Sequence, residues 1–153
     1  MSTKKYEFTG ETITLLNETI LHRIRLLVDI PNFESGSLGG WIEKEENLSQ
    51  YGNAWVFGDA EVYDNAKVSG NAKVYGNADV YERNHILVVG PIGSRNSYTT
   101  FFRNLDNGIS VSCGCFLGIL DDFLSKVKST HRDSRHAVIY KAAADLAELQ
   151  ILN

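Results

Sequence analysis

Aliphatic side chains recur at every sixth position through the middle of the chain. They fall at Val56, Val62, Val68, Val74, Val80, Ile86 and Ile92. Alanine keeps the same interval two residues earlier, and each of these alanines follows Asn or Asp, often with glycine before it. A period of six differs from the helical turn of about 3.6 residues and from the heptad, so it excludes a helical interpretation. It is typical of a solenoid in which short strands alternate with tight turns.

The repeat resembles the hexapeptide repeat of left-handed β-helices, in which the aliphatic residue points inward and Gly-Asn/Asp pairs form the corners. We therefore predict a mainly β fold with a left-handed parallel β-helix of about three coils over residues 38–93. An N-terminal β cap over residues 1–37 and a small ββαα module over residues 94–153 complete the predicted domain organisation.

The predicted elements outside the repeats come from shorter patterns. Strands are expected at Thr12–Leu16 and Thr19–Ile30, and at Tyr98–Arg103 and Ile109–Cys115 around an Asp106-Asn107-Gly108 turn. Helices are expected over Ile119–Ser129 and from a cap at Asp133 or Ser134 to about Gln150. The second helix is predicted to bury an apolar stripe formed by Val138, Ala142, Leu146 and Leu149.

Charge and composition narrow the possible partners. The formal net charge of −4 argues against nucleic-acid binding, and no apolar run is long enough for a membrane span. Residues 83–105 nevertheless contain three arginines and no acidic residue, so an anion would prefer this segment. Cys113 and Cys115 are too few to hold zinc and are interpreted as reduced thiols, which favours a cytoplasmic location. No metal and no cofactor are expected.

Residues 19–82 resemble a group of hexapeptide-repeat proteins found in phages and prophages. The resemblance lies in His22-Arg23-Ile24-Arg25, in the run from Leu38 to Glu43, in Asn47-Leu48-Ser49-Gln50 and in the Gly-Asn-Ala-x-Val-Tyr repeats. The segments Gly90–Asn96 and Ser112–Phe116 resemble a C-terminal module attached to some of them. The resemblance implies a left-handed β-helix and often a trimer, and it carries over no residue-level activity.

A glycine-serine segment after the repeats is the first candidate site. Glycines allow backbone N–H groups to approach an anion, hydroxyls donate to its oxygens, and Arg95 can form a forked pair with a phosphate or carboxylate. The predicted ligand-binding residues here are Gly93, Ser94, Arg95, Asn96, Ser97, Tyr98, Thr99, Thr100 and Arg103. The alternative interpretation is a plain turn between the repeats and the C-terminal module.

A second polar cluster stands before the last predicted helix. His131, Arg132 and Arg135 are the ligand-binding candidates, because a helix N-terminus and basic side chains both favour anions. A solvated loop is the alternative. If the two clusters meet, they form a cationic pocket, but the sequence leaves their relative position open.

These observations favour a phage-type accessory, anti-defence protein that binds and sequesters a phosphorylated small molecule, for example a nucleotide signal, without catalysis. One alternative is a hexapeptide-repeat acyltransferase with His85 as general base, the only histidine near the repeats. The other is a protein-interaction module that blocks a host protein. Aromatic residues 18 positions apart (Phe57 with Tyr75, Tyr63 with Tyr81) are predicted to stack, either as an interface of a homo-oligomer, favoured as a trimer, or as a stiffening ladder.

Overall fold

The computed structural model describes residues 4–152 and divides the chain into two compact units, residues 1–83 and 84–153. The N-terminal unit contains strands β1 (Tyr6–Thr14), β2 (Ile20–Leu26), β3 (Leu38–Ile42), β4 (Trp55–Val56), β5 (Glu61–Val62), β6 (Lys73–Val74) and β7 (Asp79–Val80). The C-terminal unit contains strands β8 (Ile86–Ile92), β9 (Ser97–Arg103), β10 (Ile109–Cys113) and β11 (Phe116–Ile119). These are followed by helices α1 (Leu120–His131) and α2 (Arg135–Ile151).

The left-handed parallel β-helix predicted over residues 38–93 is wrong. In the described residues the strands form a mixed five-stranded sheet, β1-β2-β3-β5-β7, an antiparallel four-stranded sheet, β11-β10-β9-β8, and a separate β4-β6 pair. The long strands β1, β2 and β3 pair antiparallel, and β8, predicted as part of the last coil, pairs antiparallel with β9. The resemblance to the hexapeptide-repeat family loses its support, because the fold that it implies is not found.

The physical reason for this error is the shortness of the parallel strands. Each strand of the repeats contains only two residues and is interrupted by turns, with positive φ angles at Gly58 (+66°) and Gly76 (+64°). The repeats do pair in parallel at the expected offset of 18 residues, Val56 with Val74 and Val62 with Val80. The six-residue rhythm therefore identified the inward positions and their register, whereas the longer flanking strands determine the sheet architecture.

The core of the repeats follows the sequence pattern closely. The aliphatic and alanine positions from residue 54 to residue 80 are all buried: Ala54, Val56, Ala60, Val62, Ala66, Val68, Ala72, Val74, Ala78 and Val80. The predicted aromatic ladder is confirmed, with ring centroids 5.7 Å apart for Phe57 and Tyr75 and 5.3 Å apart for Tyr63 and Tyr81. Tyr63 also donates a hydrogen bond to Asp79 at 2.9 Å. A trimer assembled on this ladder stays a prediction.

Polar contacts anchor the start of β1 to the repeats. The Tyr6 hydroxyl donates to the Leu48 carbonyl at 2.6 Å, and the Gln50 side chain accepts from the backbone amides of Lys5 and Tyr6. The buried Lys5 ammonium donates to the Ala54 carbonyl at 2.7 Å. Burial first, and repulsion from Lys73 second, lower the pKa of Lys5 to about 8.

The lowered pKa of Lys5 predicts that the N-terminal unit becomes more stable as the pH rises from about 8 to about 10. In this window the unfolded chain, with a lysine pKa of about 10.4, binds a proton that the folded chain has released, so stability rises with pH by up to about 1–3 kcal/mol. Urea unfolding followed by tryptophan fluorescence checks this, because both tryptophans, Trp41 and Trp55, belong to this unit. In the Lys5→Met variant, the free energy of unfolding should rise much less with pH in this window. If it rises as steeply as in the wild type, groups other than Lys5 cause the pH dependence.

The C-terminal unit packs two helices against the antiparallel sheet. Its core contains side chains of β9, β10 and both helices, including Phe101, Val111, Phe123, Tyr140 and Ala144. The hairpin predicted around Asp106-Asn107-Gly108 is confirmed by the pairing of β9 with β10, and α1 and α2 lie close to their predicted bounds. The predicted ββαα module undercounts the strands, because β8 and β11 complete a four-stranded sheet.

The predicted buried stripe of α2 is wrong. Val138 is 65% exposed, Leu146 is 50% exposed and Leu149 is 68% exposed, and Ala142 is exposed as well. The helix instead buries Tyr140, Ala143, Ala144, Ala147 and Ile151. Three alanines allow the helix to approach the sheet closely, so the smaller apolar face is the one that packs. In residues 4–152, neither α1 nor α2 has the length and the apolar content that crossing a bilayer requires.

Candidate ligand-binding cavity

A cavity of about 760 Å³ lies in the C-terminal unit, at one end of its sheet. The β8–β9 and β10–β11 turns are at the same end, because the strand order is β11-β10-β9-β8 and successive strands are antiparallel. The second half of α1 forms another wall, and Tyr140 of α2 contributes from a third side. Its volume falls in the range of about 300–1,000 Å³ that small-molecule sites occupy.

The β8–β9 turn presents the first group of polar side chains. Gly93 has a φ angle of +82°, Asn96 has a φ angle of +49°, and the Asn96 amide donates to the Gly93 carbonyl at 3.2 Å. This closed turn leaves Ser94 and Arg95 exposed at the cavity, with Ser97 beside them at the start of β9. The glycine is required here, because a Cβ atom at position 93 would lie 1.9 Å from the Tyr140 hydroxyl.

The β10–β11 turn brings both cysteines to the cavity. Cys113 ends β10, Gly114 takes a positive φ of +58°, and Cys115 is exposed; both thiols are free. The Cys113 sulfur accepts a hydrogen bond from the Thr99 hydroxyl at 3.2 Å and lies 3.9 Å from the Tyr140 hydroxyl. Cys113 is thereby tied to the core, whereas Cys115 is open to whatever enters the cavity.

One face of α1 contributes five of the lining residues. Its contributing residues are spaced by three and one along the helix, which places them on one side: Phe123, Lys126, Val127, Thr130 and His131. The apolar members of this face, Phe123 and Val127, are buried in the core. Lys126, Thr130 and His131 therefore supply the polar atoms of the wall, in the helix half where a cation is also favoured by the macrodipole.

An aromatic cluster of Phe116, Phe123 and Tyr140 contributes to the cavity lining. Phe123 and Tyr140 make an edge-to-face contact with centroids 5.6 Å apart, and Phe116 lies 5.6 Å from Phe123. Burial, followed by the neighbouring Cys113, raises the pKa of Tyr140 to about 12. Tyr140 is therefore a neutral hydroxyl at physiological pH and can donate a hydrogen bond.

The charge of the cavity has one sign. Among the described residues that line it, Arg95, Lys126 and His131 are the basic ones, and Asp and Glu are absent. These three side chains come from three separate segments: a hairpin turn, the middle of α1 and the end of α1. Since the chain as a whole carries a net charge of −4, a cavity without carboxylates is a local departure from its composition.

The structure brings together part of each predicted polar cluster. Ser94, Arg95 and Ser97 from the first cluster and His131 from the second line the same cavity. Gly93 and Asn96 shape the β8–β9 turn. The assignment of these residues to ligand binding stays a prediction, but their convergence provides the pocket that the sequence left open.

The other predicted site residues are not among those that line the cavity. Thr99 and Thr100 are buried in β9, and Tyr98 packs beside Gly90. Arg103 ends β9 at the opposite end of the sheet, where it donates to Asn107. Arg132 and Arg135 are exposed on the α1–α2 connection and at the start of α2. His85, the acyltransferase candidate, is buried at the end of a 3₁₀ turn, Arg83–His85, and is not a lining residue.

Sequence reasoning missed most of the lining. Ten lining residues were not predicted as site residues: Cys113, Gly114, Cys115, Phe116, Leu117, Phe123, Lys126, Val127, Thr130 and Tyr140. The helical spacing of Phe123, Lys126, Val127 and Thr130 was a readable signal that they share one face of the helix, but the two polar residues on that face, Lys126 and Thr130, do not by themselves indicate a site. Tyr140 gave no such signal, since it reaches the cavity from the second helix.

Comparison with protein-family models and with curated proteins gives no relative. No model of a known protein family matches the sequence, and no curated protein matches it significantly. Within the part of the chain that the structure describes, no three His, Cys, Asp or Glu side chains group in a way that could hold a metal ion. The functional interpretation therefore depends on the cavity itself.

Proposed function

We propose that the C-terminal unit binds a phosphorylated small molecule in this cavity and holds it without chemical change. The observation that supports this most is the convergence of Arg95, Lys126 and His131 on a cavity without carboxylates. A phosphate matches this set, because a guanidinium offers a planar fork of donors and an ammonium offers a compact charge.

The uncharged lining favours an organic phosphate over inorganic phosphate. Ser94, Ser97 and Thr130 offer hydroxyls, while the ring of Phe116 on β11 offers an apolar surface. A nucleotide combines the groups that this lining fits: a phosphate, a ribose with hydroxyls and a base that packs on an aromatic ring. The volume of about 760 Å³ exceeds what phosphate needs and leaves room for a nucleoside portion.

The proposal keeps the binding role and leaves out the phage-specific part. Anti-defence sequestration depended on the resemblance to phage hexapeptide-repeat proteins, and that resemblance has lost its support. We place the protein in the cytoplasm, since its two free cysteines, Cys113 and Cys115, suit a reducing compartment.

Arg95→Ala and Lys126→Ala are expected to weaken ligand binding by about 30- to 1,000-fold each. Each variant removes one charge-assisted contact with the phosphate. Calorimetric titration with adenosine monophosphate, ADP-ribose, a cyclic dinucleotide, acyl-CoA and inorganic phosphate measures the change and ranks the ligand classes. Arg132→Ala and Lys128→Ala are matched controls, because both residues are exposed and neither lines the cavity.

Two results would contradict the proposal. One is that no probe binds, and the other is that the Arg95→Ala and Lys126→Ala variants bind the probes as tightly as the control variants do. In either case the glycine-serine turn only connects β8 to β9. Mass spectrometry of ligand released by heating tests whether the protein holds the ligand without changing it chemically. Recovery of the unchanged molecule supports holding without catalysis, and recovery of a product would identify an enzyme.

A further inference from the structure

His131 gives the cavity a charge that can change near neutral pH. A histidine side chain gains or loses its proton between about pH 5 and pH 8, whereas ordinary lysine and arginine side chains keep their charge there. His131 lines the cavity and is the last residue of α1, where the helix macrodipole favours a cation. The charge of the basic lining set, Arg95, Lys126 and His131, therefore depends on pH through the histidine.

Tyr140 connects His131 to the β8–β9 turn. The rings of His131 and Tyr140 have centroids 5.6 Å apart. The Tyr140 hydroxyl lies against Gly93, where an added Cβ atom would be only 1.9 Å from it. Gly93 belongs to the same closed turn as Arg95, because its carbonyl accepts the hydrogen bond from the Asn96 amide. One tyrosine thus contacts both the turn that carries Arg95 and the imidazole, so an anion bound at this turn can also reach His131.

The titratable groups that face His131 from other elements include no carboxylate. Tyr140 and His136 of α2 lie beside its ring, and Cys113 and Cys115 of the β10–β11 hairpin line the same cavity. No ion pair among the described residues involves His131. The charged residues near it in the sequence are exposed: Lys128, Arg132, Asp133 and Arg135. A bound phosphate would therefore supply a counter-ion that the cavity lining does not provide.

His136 is the other histidine at this end of α1. The rings of His131 and His136 have centroids 5.5 Å apart, and the His136 Nδ1 atom is buried without a hydrogen-bond partner among the described residues. Protonating both ring nitrogens of His136 would leave a buried N–H donor without an acceptor. The proton that accompanies an anion is therefore better placed on His131, which lines the cavity, than on His136, which does not.

We infer that ligand binding in the cavity is linked to protonation of His131, so that the phosphate binds more tightly at acidic than at alkaline pH. This inference rests on the proposed function. A charged imidazole makes a stronger hydrogen bond with a phosphate than a neutral one does. The affinity is therefore highest below the histidine range and falls as the pH rises through it. By linkage, binding near pH 7 takes up a fraction of a proton.

The pH profile of binding tests the inference on the wild-type chain. The probes are ADP-ribose and a cyclic dinucleotide, because their phosphates keep a constant charge between about pH 5.5 and pH 7.5, whereas a phosphate monoester titrates near pH 6. We expect the dissociation constant to rise about 5- to 10-fold over this range, which ends below the pH at which ordinary thiols ionise. Calorimetry at about pH 7 in buffers of different ionisation enthalpy should show proton uptake on binding.

Two variants assign the pH dependence to one histidine. His131→Gln keeps a hydrogen-bonding side chain but does not titrate, so its pH profile should be flat and its proton uptake should vanish. His136→Gln is the matched control and should keep the wild-type profile, with far-UV circular dichroism as the check that both variants fold. A flat wild-type profile, or a pH dependence that survives in His131→Gln, would overturn the inference and leave the proposed function standing. Absence of probe binding at every pH would overturn both.

Discussion

Replacing Asn47 by alanine is expected to destabilise the N-terminal unit by about 3–5 kcal/mol. The Asn47 side chain is fully buried, and its amide nitrogen donates to the carbonyls of Ala66 at 2.9 Å and Asp64 at 3.2 Å. Its amide oxygen accepts from the Lys44 backbone N–H at 3.0 Å. Alanine leaves these backbone groups without their partner, and a buried unsatisfied group costs about 1–3 kcal/mol.

The Asn47→Asp variant separates the contribution of the side-chain hydrogen bonds to stability from the contribution of the side-chain shape. An ionised carboxylate keeps the volume and the contact with Lys44, but it turns an acceptor toward the carbonyls of Asp64 and Ala66 and buries a charge. The introduced carboxyl should have a raised pKa, so the destabilisation should be largest at neutral pH and diminish as the pH falls toward 4. Urea unfolding followed by tryptophan fluorescence measures both effects.

Asn65→Ala provides the matched control. Asn65 is exposed, and its side-chain amide makes a long contact of 3.4 Å with Glu82. We expect its replacement to change the free energy of unfolding by less than about 0.5 kcal/mol. Equal losses for Asn47→Ala and Asn65→Ala would contradict the role of the buried amide.

The buried positions of the repeats could be predicted from the sequence, but the sheet architecture could not. A six-residue rhythm states which side chains point inward and that residue 56 pairs with residue 74. It does not state how long each strand is, because a two-residue strand and a longer one give the same spacing. The partners of β1 and β8 depend on contacts with β2 and β9, which the repeat does not encode.

The wrongly predicted buried face of α2 shows a related limit of prediction from sequence. The helix has two apolar faces with helical spacing. One consists of Val138, Leu146 and Leu149, and the other of Tyr140, Ala144 and Ala147. Hydrophobicity favours the leucine face for the core. Close packing on the sheet favours the alanine face, and the structure shows that packing decides. The sequence therefore predicted the helix and assigned the wrong face to the core.

The candidate site likewise contains residues that the sequence could predict and residues that it could not. Arg95 and His131 were predicted because clustered glycine, hydroxyl and basic residues are a local signal. Their meeting depends on the turn order of the sheet and on the length of α1, which are tertiary properties. Lys126 was missed because one lysine on a helix is ordinary, and it acquires meaning only beside Arg95 in the cavity.

Gly93→Ala is expected to destabilise the C-terminal unit by about 2–5 kcal/mol and to abolish ligand binding in the cavity. The added Cβ would lie 1.9 Å from the Tyr140 hydroxyl and 2.8 Å from its ring carbon Cζ, and the φ angle of +82° is strained for any L side chain. The backbone contributes about 1–2 kcal/mol and the overpacking about 1–3 kcal/mol. Tyr140 contacts Cys113, Phe123 and His131, so its displacement should deform the cavity wall.

Two further variants identify the cause of that loss. Gly114→Ala, at a φ of +58° with open space around the added Cβ, carries the backbone strain without the clash and should cost about 1 kcal/mol. Tyr140→Phe removes the closest clashing atom, so the Gly93→Ala, Tyr140→Phe double variant should lose less stability than the two single variants added together. Thermal unfolding followed by far-UV circular dichroism reports this unit, because both α-helices belong to it. Strict additivity in this cycle would show that Gly93 is needed only for its backbone angle, and that Tyr140 reaches the cavity independently of the glycine.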